Sequence, residues 1–448
     1  MNVFYINFGC KVNSYELESI KESALQSGHS EAADIESADA VVINTCTVTG
    51  EASKKCKNAA KSVRLHNPKC CIAIIGCYPQ VFEKDLSQKS FFDVAVGTKN
   101  KTNVINYIDE FLKTGKKIIA VDEFFSGDSF EKISLAKSKS KTRAVLKIED
   151  GCDMYCSYCV IPYARGHIRS KSLDDIKKEA AVLVENGHKE IVLVGINLCC
   201  YGRDLKNTSL SDAVRVVNDI SGVERIRLGS LEPEMMTDEE IERLKSSEKL
   251  CGHFHLSLQS GCDKTLKAMN RRYTSSDYRT LISKLRSQFE NASITTDIMV
   301  GFPGETEEDF KESLDFVKEI GFASAHVFPY SVREGTRAEK MDGHLPQSVK
   351  KQRAAVMRAA VRASEREFLN SQVSKLLKVI FERDEGLLYH QGHTENYINV
   401  RVIKRNIKNN LHKKSFYVRI VGAEDDFCLG EIEDDRFLAL QTENEFSK

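Results

Sequence analysis

Short β-branched runs alternate with helical stretches along the first third of the chain. The runs predict four strands: VFYINF (3–8), AVVIN (40–44), CIAIIG (71–76) and DVAVG (93–97). Helices are predicted over 14–26, with Ser14 as a possible N-cap, and over 52–66. Strands that alternate with helices in this way are typical of a parallel sheet with helices on its faces.

The alternation resumes at residue 143. Six further strands are predicted over 144–148, 190–195, 225–229, 253–258, 294–301 and 324–329. With helical patterns between most of them, these units predict an open, partial (β/α)6 barrel, smaller than the eight-unit form. Functional sites on such barrels lie at the carboxyl ends of the strands.

The C-terminal part of the chain changes pattern again. A helix is predicted over 346–370, where Pro346 suits a helix start. The short alternating runs that follow predict a small β-barrel or sandwich: LLKVIFE, ENYINVRVI, SFYVRIVG and CLGEIE. The predicted α/β architecture is an N-terminal sheet domain over 1–123, a Ser- and Lys-rich linker over 124–142, the partial barrel over 143–370 and the small β-barrel over 371–440.

Composition narrows the class of protein. Lys plus Arg and Asp plus Glu each number 65 in 448 residues, so any binding of nucleic acid must rely on local basic patches. The sequence has no apolar run of about 18 residues and no signal-peptide pattern, so we expect a cytoplasmic protein without a membrane partner. Its 14 cysteines, in a reducing compartment, indicate metal binding or catalysis rather than disulfides.

Three of the cysteines follow the first three predicted strands. Cys10, Cys46 and Cys77 stand at strand ends in the stretches GCKVN, NTC and GCYPQ. The carboxyl ends of parallel strands share one edge of a sheet, which is the edge where open α/β sheets bind ligands. These cysteines are either buried small hydrophobes or a metal site, and their equivalent positions favour the metal site.

A second triad has the pattern CxxxCxxC and follows the first predicted strand of the barrel. Cys152, Cys156 and Cys159 suit either zinc, with His167 as a fourth ligand, or an iron–sulfur cluster that keeps one iron open. An open iron can chelate the amino and carboxylate groups of S-adenosylmethionine. An electron passed to the sulfonium then breaks a carbon–sulfur bond and yields a deoxyadenosyl radical, which is the cofactor's own chemistry.

CxxxCxxC at this position resembles the radical S-adenosylmethionine superfamily. Together with GCxxN, NTC and GCY, it resembles the methylthiotransferases, over nearly the whole chain. Those enzymes insert sulfur and then methylate it, and they carry a second cluster on the N-terminal domain. GHTENYINVRV (392–402) resembles their C-terminal RNA-binding barrel, a TRAM-like domain.

A shorter stretch bears on the substrate. GCKVNSYE (9–16) resembles the branch that acts at C2 of N6-threonylcarbamoyladenosine at position 37 of tRNA, beside the anticodon. The sister branch that acts on isopentenyladenosine usually shows GCxMN, and the branch that acts on a ribosomal protein shows GCxKN. The resemblance therefore implies a 2-methylthio derivative of threonylcarbamoyladenosine as the product.

The resemblance also implies roles for individual residues. Two 4Fe–4S clusters are expected, an auxiliary one on Cys10, Cys46 and Cys77, and a radical-generating one on Cys152, Cys156 and Cys159. The residues expected to contact S-adenosylmethionine or the substrate are Tyr158, Gly195, Asn197, Ser230, Glu232, Gly301 and Pro303. The chain departs from its relatives at Cys199-Cys200, where they often have Gly-Asp, so two extra thiols lie near the predicted mouth.

The implied partners are tRNA, a sulfur donor and an external reductant such as flavodoxin or ferredoxin. The segment RVIKRNIKNNLHKK (401–414) has six basic residues and no acidic one. It is either a solvated hairpin or an RNA contact, with Tyr397 and Phe416 stacking or packing nearby. The residues expected to contact RNA are Arg401, Lys404, Arg405 and Lys408.

Two other classes of protein remain possible on the sequence. One is a zinc-stabilised RNA-binding protein without catalysis, which explains the C-terminal segment but not the positions of the six cysteines. The other is an enzyme of the same chemistry that acts on a ribosomal protein. The basic C-terminal segment favours RNA over such a basic protein substrate.

Overall fold

The computed structural model describes residues 1–47, 50–125, 127–131, 133, 142–383, 386, 388–404, 410–434 and 437. They form an N-terminal parallel sheet, a central open barrel and a small closed C-terminal barrel. The predicted fold class is therefore confirmed. None of the helices in these ranges is long and apolar enough to cross a bilayer.

The N-terminal sheet has six parallel strands in the order β2-β1-β3-β4-β5-β6. They are β1 (Asn2–Asn7), β2 (Ser30–Glu31), β3 (Ala40–Thr45), β4 (Cys71–Gly76), β5 (Val94–Val96) and β6 (Ile118–Ala120). The helices are α1 (Lys11–Gln26), α2 (Gly50–His66), α3 (Cys77–Val81), α4 (Glu83–Leu86) and α5 (Val104–Thr114), with a 3₁₀ turn at Lys101–Asn103. Apolar clusters cover both faces of the sheet, as parallel strands require. The short strands β2 and β6 were not predicted, because neither carries a buried apolar run.

The prediction of Ser14 as the N-cap of α1 is wrong. The helix begins at Lys11, and extended Cys10 takes the cap position without a side-chain capping bond. Val12 is buried against Val192 of the central barrel, so the first turn is held by tertiary contacts rather than by a local cap.

The central barrel contains two parallel sheets, β11-β10-β7 and β12-β13-β14-β15. The strands of this domain are β7 (Arg143–Lys147), β8 (Glu149–Asp150), β9 (Arg169–Ser170), β10 (Glu190–Val194), β11 (Arg225–Leu228), β12 (Ser230–Leu231), β13 (His253–Leu256), β14 (Ser293–Val300) and β15 (Ser324–Pro329). β8 and β9 pair only with each other, whereas β11 runs into β12 after one residue. The two sheets thus give the six-strand open barrel that was predicted, around the largest apolar core.

Helices alternate with these strands and cover the outside of the barrel. They are α6 (Ile161–Arg165), α7 (Leu173–Glu185), α8 (Leu210–Asn218), α9 (Asp238–Lys245), α10 (Asp263–Ala268), α11 (Ser275–Gln288), α12 (Glu307–Ile320) and α13 (Gln347–Asn370). Short 3₁₀ turns lie at Leu198–Cys200, Pro233–Met235 and Ala338–Lys340. The start of α13 immediately after Pro346 is as predicted.

The C-terminal strands close into a barrel in the order β16-β17-β18-β20-β19. They are β16 (Leu376–Phe381), β17 (Tyr389–Thr394), β18 (Asn399–Ile403), β19 (Ser415–Ala423) and β20 (Cys428–Ile432). The strand β17 was not predicted, because its sequence YHQGHT is polar. Phe416 lies in the core of this barrel, and Tyr397 stacks between His253 and His393 with ring centroids 4.8 and 4.9 Å away. Both rings therefore pack against other side chains of the protein.

The N-terminal sheet docks on the first strand of the central barrel through α1. Glu16 of α1 is fully buried and forms ion pairs with Lys101, Lys147 and Arg165 at 2.5, 2.7 and 2.6 Å. Lys147 and Arg165 belong to the central domain, so charge pairing crosses the interface. Removing one partner of such a buried group leaves the others uncompensated.

Described parts of the predicted linker follow this interface. The ring of Phe130 lies below the ammonium group of Lys147 at 5.3 Å, and the carbonyl of Ile133 accepts a hydrogen bond from the Tyr15 hydroxyl at 2.9 Å. Residues 126, 132 and 134–141 of the predicted linker lie outside the described residues.

Candidate active site between two cysteine triads

The central triad lies in the loop between β8 and α6, where it was predicted. Cys152, Cys156 and Cys159 are each partly exposed, and their thiols are close enough to influence one another's charge. The backbone N–H of Cys152 donates to the carbonyl of Gly166 at 3.0 Å. This hydrogen bond and the two-residue spacing between Cys156 and Cys159 hold the loop in a fixed shape.

Two polar side chains reach these thiols from elsewhere in the barrel. The side-chain amide of Asn197 lies 3.7 Å from Cys152 Sγ, and the guanidinium of Arg271 lies 3.4 Å from Cys156 Sγ. Burial raises the pKa of all three thiols, and Arg271 offsets part of this rise for Cys156. Thiolates at such a site need additional positive charge, which a metal centre supplies.

His167 does not complete a zinc site. Its Nδ1 lies 2.8 Å from Asp153 Oδ1, in an exposed pair. Within the described ranges, no three His, Cys, Asp or Glu side chains converge closely enough for a single metal ion. A cluster needs a wider arrangement, because each thiolate binds a different iron. The central triad therefore lacks His167 as the fourth ligand that a structural zinc site needs.

The N-terminal triad lies at one edge of the sheet, after three adjacent strands. The register pairs Thr45 with Gly76, so Cys46 and Cys77 leave β3 and β4 side by side. Cys10 follows β1, which is the neighbour of β3 on its other side. Strand order and register thus bring together three residues that are far apart in the sequence.

Asn13 connects the segments that carry Cys10 and Cys46. Its Oδ1 accepts a hydrogen bond from Cys10 Sγ at 3.3 Å, and its Nδ2 donates to Asn44 Oδ1 and to the Thr45 carbonyl at 3.0 and 3.1 Å. Gly76 has a φ of 98°, and a Cβ there would lie 2.8 Å from Asn44 Oδ1. Only glycine allows this close approach.

Two arginines of the central domain approach this triad. Arg165 is fully buried at the end of α6, and its charge acts on Cys10 and Cys77. Burial raises the pKa of the Cys10 thiol, and Arg165 offsets part of the rise. Burial lowers the pKa of Arg333, and the nearby Cys46 opposes this. Positive charge near all three thiols favours binding of a metal centre through thiolates.

A cavity of about 240 Å³ lies beside the central triad. Its wall includes Tyr158 and Cys159 from the central loop, His326 from β15, and Arg333, which lies beside Cys46. The two cysteine loops also contact each other through α3 and α6. A molecule in this cavity would therefore lie against Cys159 of the central triad, and Arg333 connects the cavity with the N-terminal triad.

Of the residues expected to contact the cofactor, three lie close to the central triad. Tyr158 packs edge-on against Phe302 with centroids 6.4 Å apart. The carboxylate of Glu149 fills the space beside Gly195, where a side chain would collide, and accepts the N–H of Asn197 at 2.7 Å. The buried Oδ1 of Asn197 has no hydrogen-bond partner among the described residues, so it can accept one from a ligand.

The other four lie at the ends of later strands. Ser230 is exposed towards the barrel lumen, and Glu232 forms an ion pair with Arg271. Gly301, with a φ of 73°, donates its N–H to the carboxylate of Glu305, and Pro303 is buried in the same turn. The structure therefore places three of the seven near the central triad and does not bring all seven to one point.

Sequence reasoning missed the polar residues that support the triads. Asn13 stands in the GCKVN stretch and Arg165 shortly after the central loop, so their proximity in sequence to the cysteines was an available signal. Arg271 and Arg333 come from distant loops, and no pattern in the sequence connects them to a cysteine.

The two extra thiols lie close to the central site. Cys199 Sγ accepts the N–H of Glu232 at 3.2 Å, and Cys200 is buried in the adjoining 3₁₀ turn. Burial raises the pKa of both thiols, to about 12 for Cys200. Neither thiol supplies the charge of a carboxylate at this position.

The structure describes part of the predicted RNA-binding segment. Arg401 stacks on the ring of Phe427, 3.8 Å from its centroid, and Lys404 donates to a backbone carbonyl at 2.7 Å. Arg405 and Lys408 lie outside the described residues. The described residues of this segment, 401–404 and 410–414, belong to the C-terminal barrel and do not line the cavity beside the central triad.

Comparison with known proteins identifies relatives of the chain. Residues 146–317 match the Radical SAM superfamily, and residues 2–97 match a family described as uncharacterized protein family UPF0004. The chain is 36% identical over 403 residues to the threonylcarbamoyladenosine tRNA methylthiotransferase MtaB of Bacillus subtilis, covering 89% of each chain. It is 38% identical over 394 residues to the MtaB of Thermotoga maritima, covering 87% of this chain and 89% of that one.

The chain belongs to the radical S-adenosylmethionine methylthiotransferase family. The resemblance seen in the sequence is thereby confirmed, and the protein is an enzyme of the transferase class. Membership in the superfamily implies S-adenosylmethionine and a 4Fe–4S cluster, which the central triad fits. Radical chemistry of this kind also requires an external reductant.

Sequence identity does not decide which branch of the methylthiotransferase family this chain belongs to. The chain is also 36% identical over 419 residues to a tRNA-2-methylthio-N(6)-dimethylallyladenosine synthase of Clostridium tetani, covering 90% of this chain and 91% of that one. A solved structure, the radical S-adenosylmethionine methyltransferase TsrM of Kitasatospora setae, shares the fold with a TM-score of 0.56 at 15% identity, covering 76% of this chain and 74% of that one.

Proposed function

We propose that this protein is a tRNA methylthiotransferase that acts at C2 of N6-threonylcarbamoyladenosine at position 37, beside the anticodon. The observation that carries the proposal is the proximity of the two cysteine triads: α3 contacts α6, and Arg333, which lies beside Cys46, lines the same cavity as Cys159. Sulfur insertion at an adenine carbon needs a radical source and a sulfur source in one place, and few other reactions need two such sites.

Each triad is proposed to hold one 4Fe–4S cluster, the radical-generating one on the central loop and the auxiliary one on the N-terminal sheet edge. Three thiolates in each leave one iron open. When bound, the two clusters and S-adenosylmethionine supply the radical and the sulfur that the reaction consumes. The arginines beside both triads, Arg271, Arg165 and Arg333, supply positive charge for the anionic thiolates.

The residues of the central barrel are proposed to hold S-adenosylmethionine. The buried Oδ1 of Asn197 accepts a hydrogen bond from the amino group of its methionine part. Tyr158 and the turn at Gly301 and Pro303 contact its adenine. Glu232, held by Arg271, presents carboxylate oxygen towards the cofactor or substrate. Each of these roles is the one that the family resemblance implies for the residue.

The C-terminal barrel is proposed to bind the tRNA. Arg401 and Lys404 stand on this barrel, and Arg405 and Lys408 extend the same basic segment. Such residues neutralise backbone phosphates and hold the anticodon arm without reading its sequence. The protein also needs a sulfur donor, because each turnover leaves a sulfur atom in the product.

The experiment uses the anaerobically reconstituted full chain with dithionite, S-adenosylmethionine and tRNA that carries threonylcarbamoyladenosine. We expect a methylthio nucleoside in the digested tRNA by mass spectrometry, and none with tRNA that carries unmodified adenosine. Absence of product from the threonylcarbamoyl substrate, in protein that cleaves S-adenosylmethionine, would overturn the proposal.

Dimethylallyladenosine is a second candidate substrate, because the relative from Clostridium tetani is as similar as the one from Bacillus subtilis. The same assay with tRNA that carries dimethylallyladenosine decides between them. Product from this tRNA alone would move the protein to the sister branch.

A further inference from the structure

The lumen of the central barrel holds a second cavity, of about 400 Å³. All three parts of the chain line it: Lys11 from the N-terminal sheet domain, His253 and His255 from the barrel, and Tyr397 and Asn399 from the C-terminal barrel. Its size is within the range of small-ligand pockets, about 300–1,000 Å³. It is therefore large enough for part of a substrate, not only for water.

This lumen cavity adjoins the cavity beside the central triad. His326 lines both of them. The side chains of His255 in the lumen cavity and Asp297 in the other cavity lie 3.2 Å apart. A side group of a substrate whose reacting carbon lies near the central triad would therefore be close to the lumen cavity.

The wall of the lumen cavity has hydrogen-bonding capacity that the protein does not use. His253 is buried, and its Nε2 lies 3.1 Å from the Thr295 hydroxyl, whereas its Nδ1 has no partner among the described residues. Asn399 Oδ1 in this cavity also has no hydrogen-bond partner among the described residues. Nor do Gln259 Oε1 and the Tyr330 hydroxyl in the neighbouring cavity. Buried polar atoms are normally satisfied, so these four point to a polar ligand.

Lys11 provides the positive charge of the lumen cavity. It is the one lysine or arginine among the described lining residues, and it makes no hydrogen bond or ion pair with another described residue. Its charge acts on His253, whose pKa burial already holds well below the usual range. The acidic lining residues, Glu365 and Asp426, come from α13 and the C-terminal barrel.

We infer that the lumen cavity binds the N6 substituent of the target adenine, and that Lys11 binds a carboxylate on that substituent. The inference rests on the proposed function and deepens it, because a threonylcarbamoyl group carries a carboxylate, a hydroxyl, a carbonyl and an N–H group. A dimethylallyl group carries none of these and would leave the polar wall unsatisfied. Sites built to hydrogen-bond a substrate reject analogues without those groups by up to about 10⁴-fold.

The test uses anticodon stem-loop RNAs with three substituents on the target adenine: threonylcarbamoyl, its uncharged methyl ester, and dimethylallyl. The variants are Lys11→Met, Lys11→Arg and the control Lys21→Met. Lys21 is on the same helix but pairs with Glu31 at 2.9 Å, away from the cavity. Iron content is measured for each protein variant. RNA affinity and kcat/KM for the methylthio product are measured for each combination of variant and RNA.

Lys11→Met should lower kcat/KM for the threonylcarbamoyl RNA by about 10- to 100-fold, the range for a hydrogen bond to a charged group. Its kcat/KM for the methyl ester should equal that of the wild type, and Lys11→Arg should restore most of the loss. Equal losses on acid and ester would overturn the inference, because Lys11 would then act on the fold or on the adjacent Cys10. Unchanged kcat/KM in Lys11→Met would overturn it too.

The outcomes separate the inference from the proposed function. If the wild type modifies threonylcarbamoyl RNA but Lys11→Met does so equally well, the function stands and the inference fails. If the wild type modifies only dimethylallyl RNA, the proposed substrate and the inference fail together, while the methylthiotransferase chemistry stands. RNA affinity measured alone should change little in Lys11→Met, because backbone phosphates dominate it.

Discussion

The two cysteine triads are built by different means. The central triad comes from one loop, so local backbone spacing sets the positions of Cys152, Cys156 and Cys159. The N-terminal triad comes from three strand ends, so it exists only when β1, β3 and β4 pair in the observed order. A local motif can survive partial unfolding, whereas a site made by sheet register cannot.

The two triads also differ in the charged groups that surround them. Burial opposes ionisation of Glu16, next to the N-terminal triad, but three surrounding cations outweigh it and hold its pKa well below the usual range. Burial raises the pKa of Glu232, beside the central triad, where Arg271 opposes this. The N-terminal triad therefore depends on a charge network that crosses the domain interface, and the central triad on a single ion pair.

The largest expected effect comes from the central triad. Cys156→Ala should abolish cleavage of S-adenosylmethionine and all methylthio product, because the radical-generating cluster loses a ligand. Iron should fall from about eight to about four atoms per chain. Deoxyadenosine formation and iron analysis measure both, with Cys251→Ala, a buried cysteine of the same domain, as the control. Deoxyadenosine above background in Cys156→Ala would contradict the assignment.

A substitution in the N-terminal triad should separate the formation of deoxyadenosine from the formation of the methylthio product. Cys46→Ala should keep deoxyadenosine formation near the wild-type rate but lose the methylthio product, because the auxiliary cluster is proposed to carry the sulfur. Cys56→Ala is the matched control, since Cys56 is fully buried in the core of the same domain. Full product from Cys46→Ala would remove the case for a second cluster.

The charge network around Glu16 should stabilise the N-terminal triad only. Glu16→Gln leaves Arg165, Lys101 and Lys147 without their carboxylate and should reduce the free energy of unfolding at pH 7 by about 3–5 kcal/mol. The ionised form is stabilised in the folded state, so this contribution is complete above the ordinary pKa of 4.5 and is lost as the pH falls through the depressed folded pKa. The difference between variant and wild type should therefore shrink below about pH 4.5.

Denaturant unfolding across this pH range measures the effect of Glu16→Gln. The control is Glu319→Gln, which removes an exposed ion pair with Arg279 and should leave stability unchanged. A constant difference from pH 7 to pH 3 would show that the carboxylate of Glu16 is not held ionised by its partners.

The smallest effect should come from the RNA-binding segment and leave both triads intact. Changing Lys404 to Glu should weaken tRNA binding for all sequences alike and reduce the slope of log affinity against log salt by about 1. Lys318→Glu, on the outer helix α12, serves as the control. Fluorescence anisotropy with labelled tRNA measures the slope, and equal slopes for the two variants would place the tRNA elsewhere.

Much of the fold follows from the pattern of apolar positions. Buried parallel strands read as continuous β-branched runs, so four of the six N-terminal strands and all six barrel strands were predicted within a few residues. The misses are elements held by tertiary contacts. The strand β17 is polar, and the first turn of α1 is held by the burial of Val12.

The candidate site likewise has residues that the sequence predicts and residues that only the structure brings to it. CxxxCxxC is visible without any structure, and equivalent strand ends were enough to group Cys10, Cys46 and Cys77. The placement of Arg271, Arg333 and Lys11 was not predictable, because each reaches the site from a different loop or helix start. The sequence also left open whether Tyr397 stacks on RNA or packs nearby, and the structure places its ring between two histidines.

The amino-acid sequence alone determines the architecture and the class of chemistry, because strand periodicity and cysteine spacing act over a few residues. The tertiary structure decides what surrounds that chemistry: the Arg271–Glu232 pair, the interface network at Glu16, and the polar lumen reached by Lys11. These features depend on how three separately folded parts dock. Docking depends on surface shape and on charge pairing between distant segments, and neither leaves a periodic signal along the chain.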